Sequence, residues 1–512
     1  MAARRPSMST RGREPAYAPA PAPPPPPAYR PAPAPGFEHA VAQLAAGAGA
    51  FGEDGVWDPE LAESSCLFVS KHAEARGMHN GLRVPSGAFG AVRAIGALQV
   101  AVGHFFTFVC RGYPGLEVGG GNAVLIFLLM SGFVMQVGYA GKGPAKANPD
   151  LWGTFLKRRI ARVAPLYWAS VLISVPVTLA QLGVIGPPTA YTADPVWLYF
   201  SLGATLVGVQ CWAPIFYSFN GPLWTVSAQV LFYPNFPRWM DGMHSARGAG
   251  RVWQEGAAWW GLHFVGFVGV LLLTGDYLVA HTVAWTKLPL FLMGMMAGSL
   301  ALTNLGSNEG AGLSHAQRVS WGNTLGFLTC LLFAYTLLQW CAIFVSPGLG
   351  FLTRIAAEAF MPPVYGTWLL ALTQAPMDHW VILALDKKWL HVAGDWSFAF
   401  YVFHWPLMFY YSWAVLGDAF WTDFRGHAES SDVDLVYPPL LPAWHLVPLM
   451  LIWVLAAAAG YHLVEVPTRT AFFDALMGGR VSGASTAQAP SSDSPPSPAP
   501  HPHSREDHEG SP

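Results

Sequence analysis

The stretch G-N-A-V-L-I-F-L-L-M-S-G-F-V-M-Q-V-G, residues 121–138, contains no charged side chain. A helix needs about twenty such residues to cross the ~30 Å hydrocarbon core of a bilayer. Comparable apolar stretches recur along the chain and predict about ten membrane-spanning helices. The expected spans are 89–109, 121–138, 163–184, 222–237, 259–275, 279–302, 321–345, 350–374, 396–416 and 443–465. A further stretch, 196–214, either crosses the membrane or only dips into it.

The composition supports the same prediction. Of 512 residues, 53% are apolar and 11% are charged, whereas soluble proteins have about 25% charged residues. The 22 Trp and 17 Tyr suit helices that end at a lipid–water interface. A net charge of −2 excludes the global basic field of a nucleic-acid-binding protein. The fold class is therefore all-α, a polytopic transmembrane helical bundle with disordered tails at both ends.

Composition also divides the chain into segments. Residues 1–36 are mostly Pro and Ala, which predicts a disordered or polyproline II segment without the apolar region of a cleavable signal. Residues 37–88 are mixed and predict a short soluble or interfacial preamble. Residues 89–470 form the membrane domain, and 471–512, rich in Ser and Pro, predict a mostly disordered tail.

Basic residues predict how the bundle is oriented. The segment between the second and third spans is basic, which assigns it to the cytoplasm together with the N- and C-termini. Its basic residues are Lys142, Lys146, Lys157, Arg158, Arg159 and Arg162. The loop with Arg238, Arg247 and Arg251 falls on the same side only if 196–214 does not cross fully.

Arg93 and His104 are ionisable groups inside the first expected span. Such groups are costly in a membrane and point to function. Eleven helical steps return to nearly the same face, so both project from one stripe, roughly 16 Å apart, and are expected to line one cavity. The alternative is that Arg93 reaches lipid phosphate and His104 bonds a neighbouring carbonyl.

Arg159 and Arg162 share a helix face, because they lie three residues apart in K-R-R-I-A-R. Guanidinium groups match phosphate geometry, so the pair can clamp a nucleotide-bearing donor; the alternative is a topology signal. His404 and Glu465 lie in or at the ends of the last two spans. The five cysteines and the histidines have no metal-ligand spacing, and neither a metal nor a resident cofactor is expected.

Six segments in order resemble the acyltransferase-3 family of integral membrane O-acyltransferases. Arg93 and His104 have its Arg-x10-His spacing, and I-F-L-L-M-S-G-F-V-M contains the Ser131-Gly132 of its second segment. The other four segments are F-L-K-R-R-I-A-R-V-A-P-L-Y at 155–167, F-N-G-P-L-W-T-V-S-A-Q-V-L-F-Y at 219–233, S-F-A-F-Y-V-F-H-W-P at 397–406 and V-E-V-P at 464–467. The resemblance covers roughly residues 89–470.

The resemblance implies transfer of an acyl group, often acetyl, from cytoplasmic acyl-CoA to a hydroxyl of a carbohydrate, glycolipid or lipid. It implies that Arg93 and His104 are essential. Because acyl transfer needs a base that titrates near neutrality, our hypothesis is that His104 is the base and Arg93 is the site organiser or anion stabiliser. Arg159 and Arg162 would meet the acyl-CoA. The remaining residues expected at the substrate site are Ser131, Trp224, Ser227, Gln229, His404 and Glu465.

Two positions depart from the family pattern. Gln229 stands where the family has an acidic residue, and Leu125 stands where it has Asp or a small polar residue. They motivate one alternative function, a non-catalytic family member that binds or scaffolds. A transporter or flippase is a second alternative, because buried Arg and His also mark substrate paths, although no repeat of halves supports it. A different membrane acyltransferase superfamily, using Asn and His, fits the ordered motifs less well.

Overall fold

The computed structural model describes residues 86–110, 119–139, 149–184, 195–213, 219–243, 249–306, 313–429 and 440–477. Within these ranges all regular secondary structure is helical, which confirms the all-α prediction. The segment expected at 1–36 lies outside the described residues, as do residues 37–85 of the expected preamble 37–88 and residues 478–512 of the expected tail 471–512. Among the described residues, the first helix begins at Ser86 and the last ends at Leu476.

We number the α-helices in chain order. They are α1 (Ser86–Phe105), α2 (Gly119–Tyr139), α3 (Pro149–Gln181), α4 (Pro195–Val207), α5 (Trp224–Met243), α6 (Ala249–Thr274), α7 (Tyr277–Thr282), α8 (Ala284–Gly306), α9 (His315–Val345), α10 (Pro347–Phe360), α11 (Pro362–Gln374), α12 (Trp380–Leu385), α13 (Lys388–Leu416), α14 (Asp418–Glu429), α15 (Leu446–Ala459) and α16 (Val466–Leu476). Two π-helical turns, Phe106–Cys110 and Gly460–Glu465, extend α1 and join α15 to α16.

Seven of the described helices are long and apolar enough to cross a membrane, or eight if a bent pair counts as one span. They include α1, α2, α3, α6, α8, α9 and the continuous α15–α16 segment. The bent pair is α10 and α11, which meet at 56° within the expected span 350–374. The expected spans 222–237 and 396–416 correspond to the helices α5 and α13, which are not among the described helices that length and apolarity single out as candidate spans. The expected span 279–302 is interrupted, because α7 ends before α8 begins at Ala284.

The segment expected at 196–214 contains one short described helix. Among the described residues there, 13 are helical, in α4. At 1.5 Å per residue they reach about 20 Å, less than the ~30 Å of a bilayer core. The described helix is therefore too short to cross on its own, which favours the alternative in which this segment only dips into the membrane.

The bundle has buried central helices and exposed outer ones. In α2 and α8, 78% of the most apolar window is buried, against 17% in α6 and α9. Large apolar side chains cover the outer faces; Leu273 on α6 is 87% exposed and Val447 on α15 is 73% exposed. Contiguous apolar surface of this kind is unusual on a soluble monomer and is the expected contact with lipid tails.

Glycines allow the central helices to touch. A Cβ atom on Gly132 of α2 would overlap the Phe291 carbonyl of α8, and one on Gly294 would overlap the Leu129 carbonyl. A Cβ on Gly394 of α13 would lie 2.7 Å from the Gly90 carbonyl oxygen of α1. Small residues are how membrane helices gain close packing, since lipid tails give no hydrophobic preference for helix contact. These contacts fix α1, α2 and α13 around the site.

Candidate active site

Two cavities open between the central helices. The first, which we call the arginine cavity, is lined by Arg93, Ser131, Arg159, Arg162, Gln229, Tyr233, Ser397 and Tyr401 together with apolar side chains. The second, the histidine cavity, is lined by His104, Thr107, Gln210, Cys211, Trp224, Tyr277, His281, Arg354, Tyr401 and Trp405, among others. The histidine cavity measures about 400 Å³, within the range of small-molecule sites, ~300–1,000 Å³.

Arg93, Arg159 and Arg162 converge on the arginine cavity from α1 and α3. Among the described residues that line it there is no Asp or Glu. One carboxylate, Glu465 in the second π-helical turn, lies 3.9 Å from Arg162 and is 1% exposed. Three guanidinium groups facing one space suit a ligand with several anionic oxygens, such as phosphates.

Two neighbouring arginines on α3 point in different directions. The guanidinium of Arg159 lies 5.3 Å from the Phe155 ring centroid and faces the cavity. The guanidinium of Arg158 lies 5.6 Å from the ring centroid of Phe473 on α16 and is not among the lining residues. Because 100° separates successive residues on a helix, only one of the pair reaches the cavity.

His104 lies at the end of α1, where the helix passes into its π-helical turn. Its Nδ1 is 2.9 Å from Nε2 of His404 on α13, and the two rings stack at 14°. The Trp405 ring packs edge-on against His104 at 5.1 Å between centroids. Aromatic contacts of this kind hold a side chain in one orientation. A fixed imidazole thus faces the histidine cavity.

The protons on the two imidazoles follow from their partners. His404 Nδ1 lies 2.6 Å from the Tyr401 backbone oxygen, which can only accept, so Nδ1 donates. In the neutral ring His404 Nε2 is then an acceptor, and His104 Nδ1 donates to it. The lone pair of His104 is therefore on Nε2, which makes no hydrogen bond to any described residue. That atom is oriented as a base toward the cavity.

The backbone of α13 is tied to the loop before α5. Pro406 has no N–H to donate to the Val402 carbonyl four residues earlier. The Asn220 side chain donates instead, at 2.9 Å, and Asn220 is fully buried. The turn of α13 that carries His404 is therefore completed by a residue almost two hundred positions away.

Tyr401 lines both cavities, which makes it part of the wall between them. Its hydroxyl donates to the Pro222 carbonyl at 2.8 Å and lies 3.1 Å from Thr225 Oγ1. Helical periodicity predicts that Arg93 and His104 line one cavity. They line two adjoining ones, because the ~16 Å that separates them along α1 spans the Tyr401 wall.

The other predicted residues fall into two groups. Ser131 and Gln229 line the arginine cavity and Trp224 lines the histidine cavity; Gln229 Oε1 accepts from the Tyr233 hydroxyl at 3.0 Å. His404, Ser227 and Glu465 lie behind the cavity walls. Ser227 is fully buried, and its Oγ accepts from the Cys211 backbone N–H at 3.2 Å.

Sequence reasoning missed Tyr401, Asn220 and a buried charged cluster beside the histidine cavity. The cluster is Lys287 on α8 with Glu358 on α10 and His281 on α7. In the sequence, Glu358 is only an i, i+4 partner for Arg354. The sequence does contain one indication of this cluster, because Lys287 is a single charged residue in the apolar stretch of α8. The neighbouring sequence does not identify Glu358 as its partner.

Comparison with known proteins identifies the family of this chain. The acyltransferase-3 family, described as an acyltransferase domain, matches residues 87–462, and the chain belongs to that family. A similar protein is acyltransferase MdmB of Streptomyces mycarofaciens, 32% identical over 154 residues, 29% of this chain and 36% of the relative. The match thus spans about a third of that relative's length. No solved structure matches. Fold and family together make the chain a helical member of the acyltransferase-3 family with seven or eight described helices long and apolar enough to cross a membrane.

Proposed function

We propose that the protein transfers an acyl group, acetyl in the simplest case, from cytoplasmic acyl-CoA to a hydroxyl of a carbohydrate, glycolipid or lipid. The observation that carries the proposal is His104, with its Nε2 lone pair directed into a cavity that adjoins the arginine cavity. Acyl-CoA is a co-substrate, and the reaction proposed here uses no resident cofactor.

Acyl-CoA binds at the arginine cavity. Its phosphates pair with Arg159 and Arg162, and its pantetheine arm extends past Tyr401 to present the thioester to His104. Arg93 lines the same cavity, so we assign it to donor binding rather than to stabilising the anion at the reacting carbon. Each charge-assisted hydrogen bond to phosphate contributes about 1.5–3 kcal/mol.

Transfer proceeds by addition and elimination. His104 Nε2 takes the proton of the acceptor hydroxyl as the oxygen attacks the thioester carbonyl. The tetrahedral intermediate collapses, the C–S bond breaks, and the CoA thiolate leaves. The proton held by His104 passes to that thiolate, which releases CoA-SH and the ester. His404 keeps the lone pair of His104 on the reacting side throughout.

The basic residues predict that the arginine cavity lies in the cytoplasmic half. Arg159 and Arg162 belong to the basic segment in the first half of α3, and Arg93 lies in the first half of α1. The short α4 supports a cytoplasmic position for the basic segment between α5 and α6 as well. An even number of crossings, as in the ten expected spans, then puts both termini in the cytoplasm. The histidine cavity belongs to the opposite half, where an acceptor of the membrane or the outer space can enter.

Consumption of acyl-CoA tests this proposal. Protein in nanodiscs is supplied with acetyl-CoA, with and without a membrane glycolipid extract, and free CoA is measured. Wild type should release CoA when acceptor is present. His104→Ala should lower kcat by about 10²–10⁴-fold, the usual contribution of a general base. Wild-type turnover in His104→Ala, or stoichiometric movement of substrate without thioester cleavage, would overturn the proposal.

Arg159 tests the donor side with a matched control. Arg159→Ala should raise KM for acyl-CoA by about 10- to 100-fold, because a charge-assisted bond to phosphate is lost. Arg158→Ala, which removes the adjacent guanidinium packed on Phe473 instead, should leave that KM unchanged. Equal effects of the two substitutions would mean that the segment contributes only general positive charge.

A further inference from the structure

A second imidazole faces the histidine cavity. His281, on the short helix α7, lines the cavity and is 8% exposed. Its Nδ1 lies 3.0 Å from Oε2 of Glu358. The other carboxylate oxygen of Glu358 pairs with Lys287 Nζ, and both Lys287 and Glu358 are almost completely buried. The carboxylate is thus neutralised by the lysine and fixed against His281.

The remaining nitrogen of His281 is available. Because a carboxylate only accepts, Nδ1 of His281 donates, and in the neutral ring Nε2 carries the lone pair. Nε2 makes no hydrogen bond to any described residue, although the ring is more than nine-tenths buried and lines the cavity. That nitrogen is not among the buried side-chain atoms without a partner, so it is accessible from the cavity and can accept a hydrogen bond from a molecule bound there.

His263, next to this cluster, provides a contrast. It is fully buried, and both of its ring nitrogens lie against backbone carbonyl oxygens, Thr286 at 2.9 Å and Glu358 at 3.0 Å. A neutral ring donates to only one of these carbonyls, but the protein backbone covers both nitrogens. His281 differs because its second nitrogen belongs to a ring that lines the cavity.

Aromatic rings hold His281 in place and shape the space around it. The Tyr277 ring stacks on the imidazole at 12° and 5.6 Å, and Trp224 packs edge-on at 5.0 Å. Both aromatics also line the cavity. Ring faces beside a fixed acceptor nitrogen form a surface that suits a molecule with apolar C–H faces and hydroxyl edges.

We propose that His281, oriented by Glu358 and Lys287, accepts a hydrogen bond from a second hydroxyl of the acceptor, while His104 receives the hydroxyl that is acylated. The acceptor is then a polyhydroxylated molecule held at two hydroxyls against Trp224 and Tyr277. This inference rests on the proposed acyl transfer, because it names how the acceptor of that reaction is positioned. His281 is a positioning residue.

Chemical modification tests whether His281 Nε2 is open to the cavity, independently of activity. Protein in nanodiscs is treated with diethyl pyrocarbonate, which acylates unprotonated imidazole nitrogens, and modified peptides are quantified by mass spectrometry. His104 and His281 should be modified, and His263 should be spared because it is fully buried and both of its nitrogens lie against backbone carbonyl oxygens. Modification of His104 with none at His281 would overturn the proposal.

Kinetics separate positioning from a structural role. His281→Asn keeps a donor to Glu358 but withdraws from the cavity, whereas His281→Gln reaches farther toward the Nε2 position. With the glycolipid extract as acceptor, His281→Asn should raise KM for the extract about tenfold, the loss of one hydrogen bond. KM for acetyl-CoA should be unchanged, and His281→Gln should recover part of the loss.

The outcomes distinguish this inference from the proposed function. An active wild type whose KM for the extract is unchanged by His281→Asn would leave acyl transfer standing and reject the role of His281. A wild type that consumes no acyl-CoA under any condition would reject the proposed function, and the modification experiment would then decide whether His281 faces a binding site.

Discussion

His104 and His404 form a pair in which a backbone carbonyl decides the tautomer of both rings. Most catalytic histidines are oriented by a carboxylate, which also stabilises the imidazolium by charge. A second imidazole gives orientation without negative charge. His404 therefore acts on His104 through a hydrogen bond of 2.9 Å, and its own position depends on the Tyr401 carbonyl.

Replacing His404 by Ala should lower kcat about 10²-fold, because His104 loses the partner that holds its ring and its tautomer. KM for acyl-CoA should not change, since His404 does not line the arginine cavity. Both kcat and the KM for acyl-CoA are obtained from steady-state CoA release at saturating acceptor. His462→Ala is the matched control, because His462 is exposed and lies outside both cavities. Wild-type kcat in His404→Ala would contradict the orienting role.

Helix α13 carries His404 on a turn that its own backbone cannot complete. Pro406 leaves the Val402 carbonyl without its intrahelical donor, and Asn220 supplies the missing hydrogen bond from the loop before α5. The Tyr401 hydroxyl, bonded to the Pro222 carbonyl, ties the same turn to the same loop. Two elements far apart in sequence thus act as one support for the site.

This arrangement predicts a coupled effect on stability. Asn220→Ala should destabilise the protein by about 1–3 kcal/mol, the cost of an unpaired buried carbonyl. In a Pro406→Ala background the same substitution should cost less, because an alanine at that position offers the backbone N–H that Pro406 lacks. A double-mutant cycle of thermal unfolding in detergent gives the coupling energy. Additive effects of the two substitutions would reject the compensation.

At the scale of the whole molecule, two cavities adjoin across a single aromatic wall. One is lined by three arginines and the other by two imidazoles and several aromatics. In the proposed reaction, a donor and an acceptor that enter from opposite halves of the membrane would meet without sharing an entrance. The wall would also limit the access of water to the thioester of the proposed donor.

Tyr401→Ala should open that wall, so that acyl-CoA is hydrolysed without transfer of the acyl group to an acceptor. CoA release in the absence of acceptor, which measures hydrolysis, should rise relative to release in its presence. Tyr401→Phe keeps the ring and loses only the hydroxyl contacts to Pro222 and Thr225. Its acceptor-independent CoA release should therefore be lower than that of the alanine variant. Acceptor-independent release equal to wild type in Tyr401→Ala would mean that the ring does not separate the cavities.

The sequence by itself determined the class of fold, and it singled out candidate site residues, several of which line the two cavities. Apolar length and low charge density predict membrane helices locally, because a bilayer imposes a fixed thickness on each span. Arg93, His104, Arg159 and Arg162 stand out for a related reason: charge inside an apolar segment is costly wherever the segment packs. The order of the motifs was sufficient for the family.

Only the tertiary structure decided how those residues are grouped. Helical periodicity puts Arg93 and His104 on one stripe, yet Tyr401 from α13 divides that stripe between two cavities. His104 pairs with His404, the Val402 carbonyl with Asn220, and Glu358 with Lys287. In each pair the two residues lie on different elements, tens to hundreds of positions apart in the sequence. Pairings at that distance depend on which helices pack together, and periodicity within one helix carries no information about its neighbours.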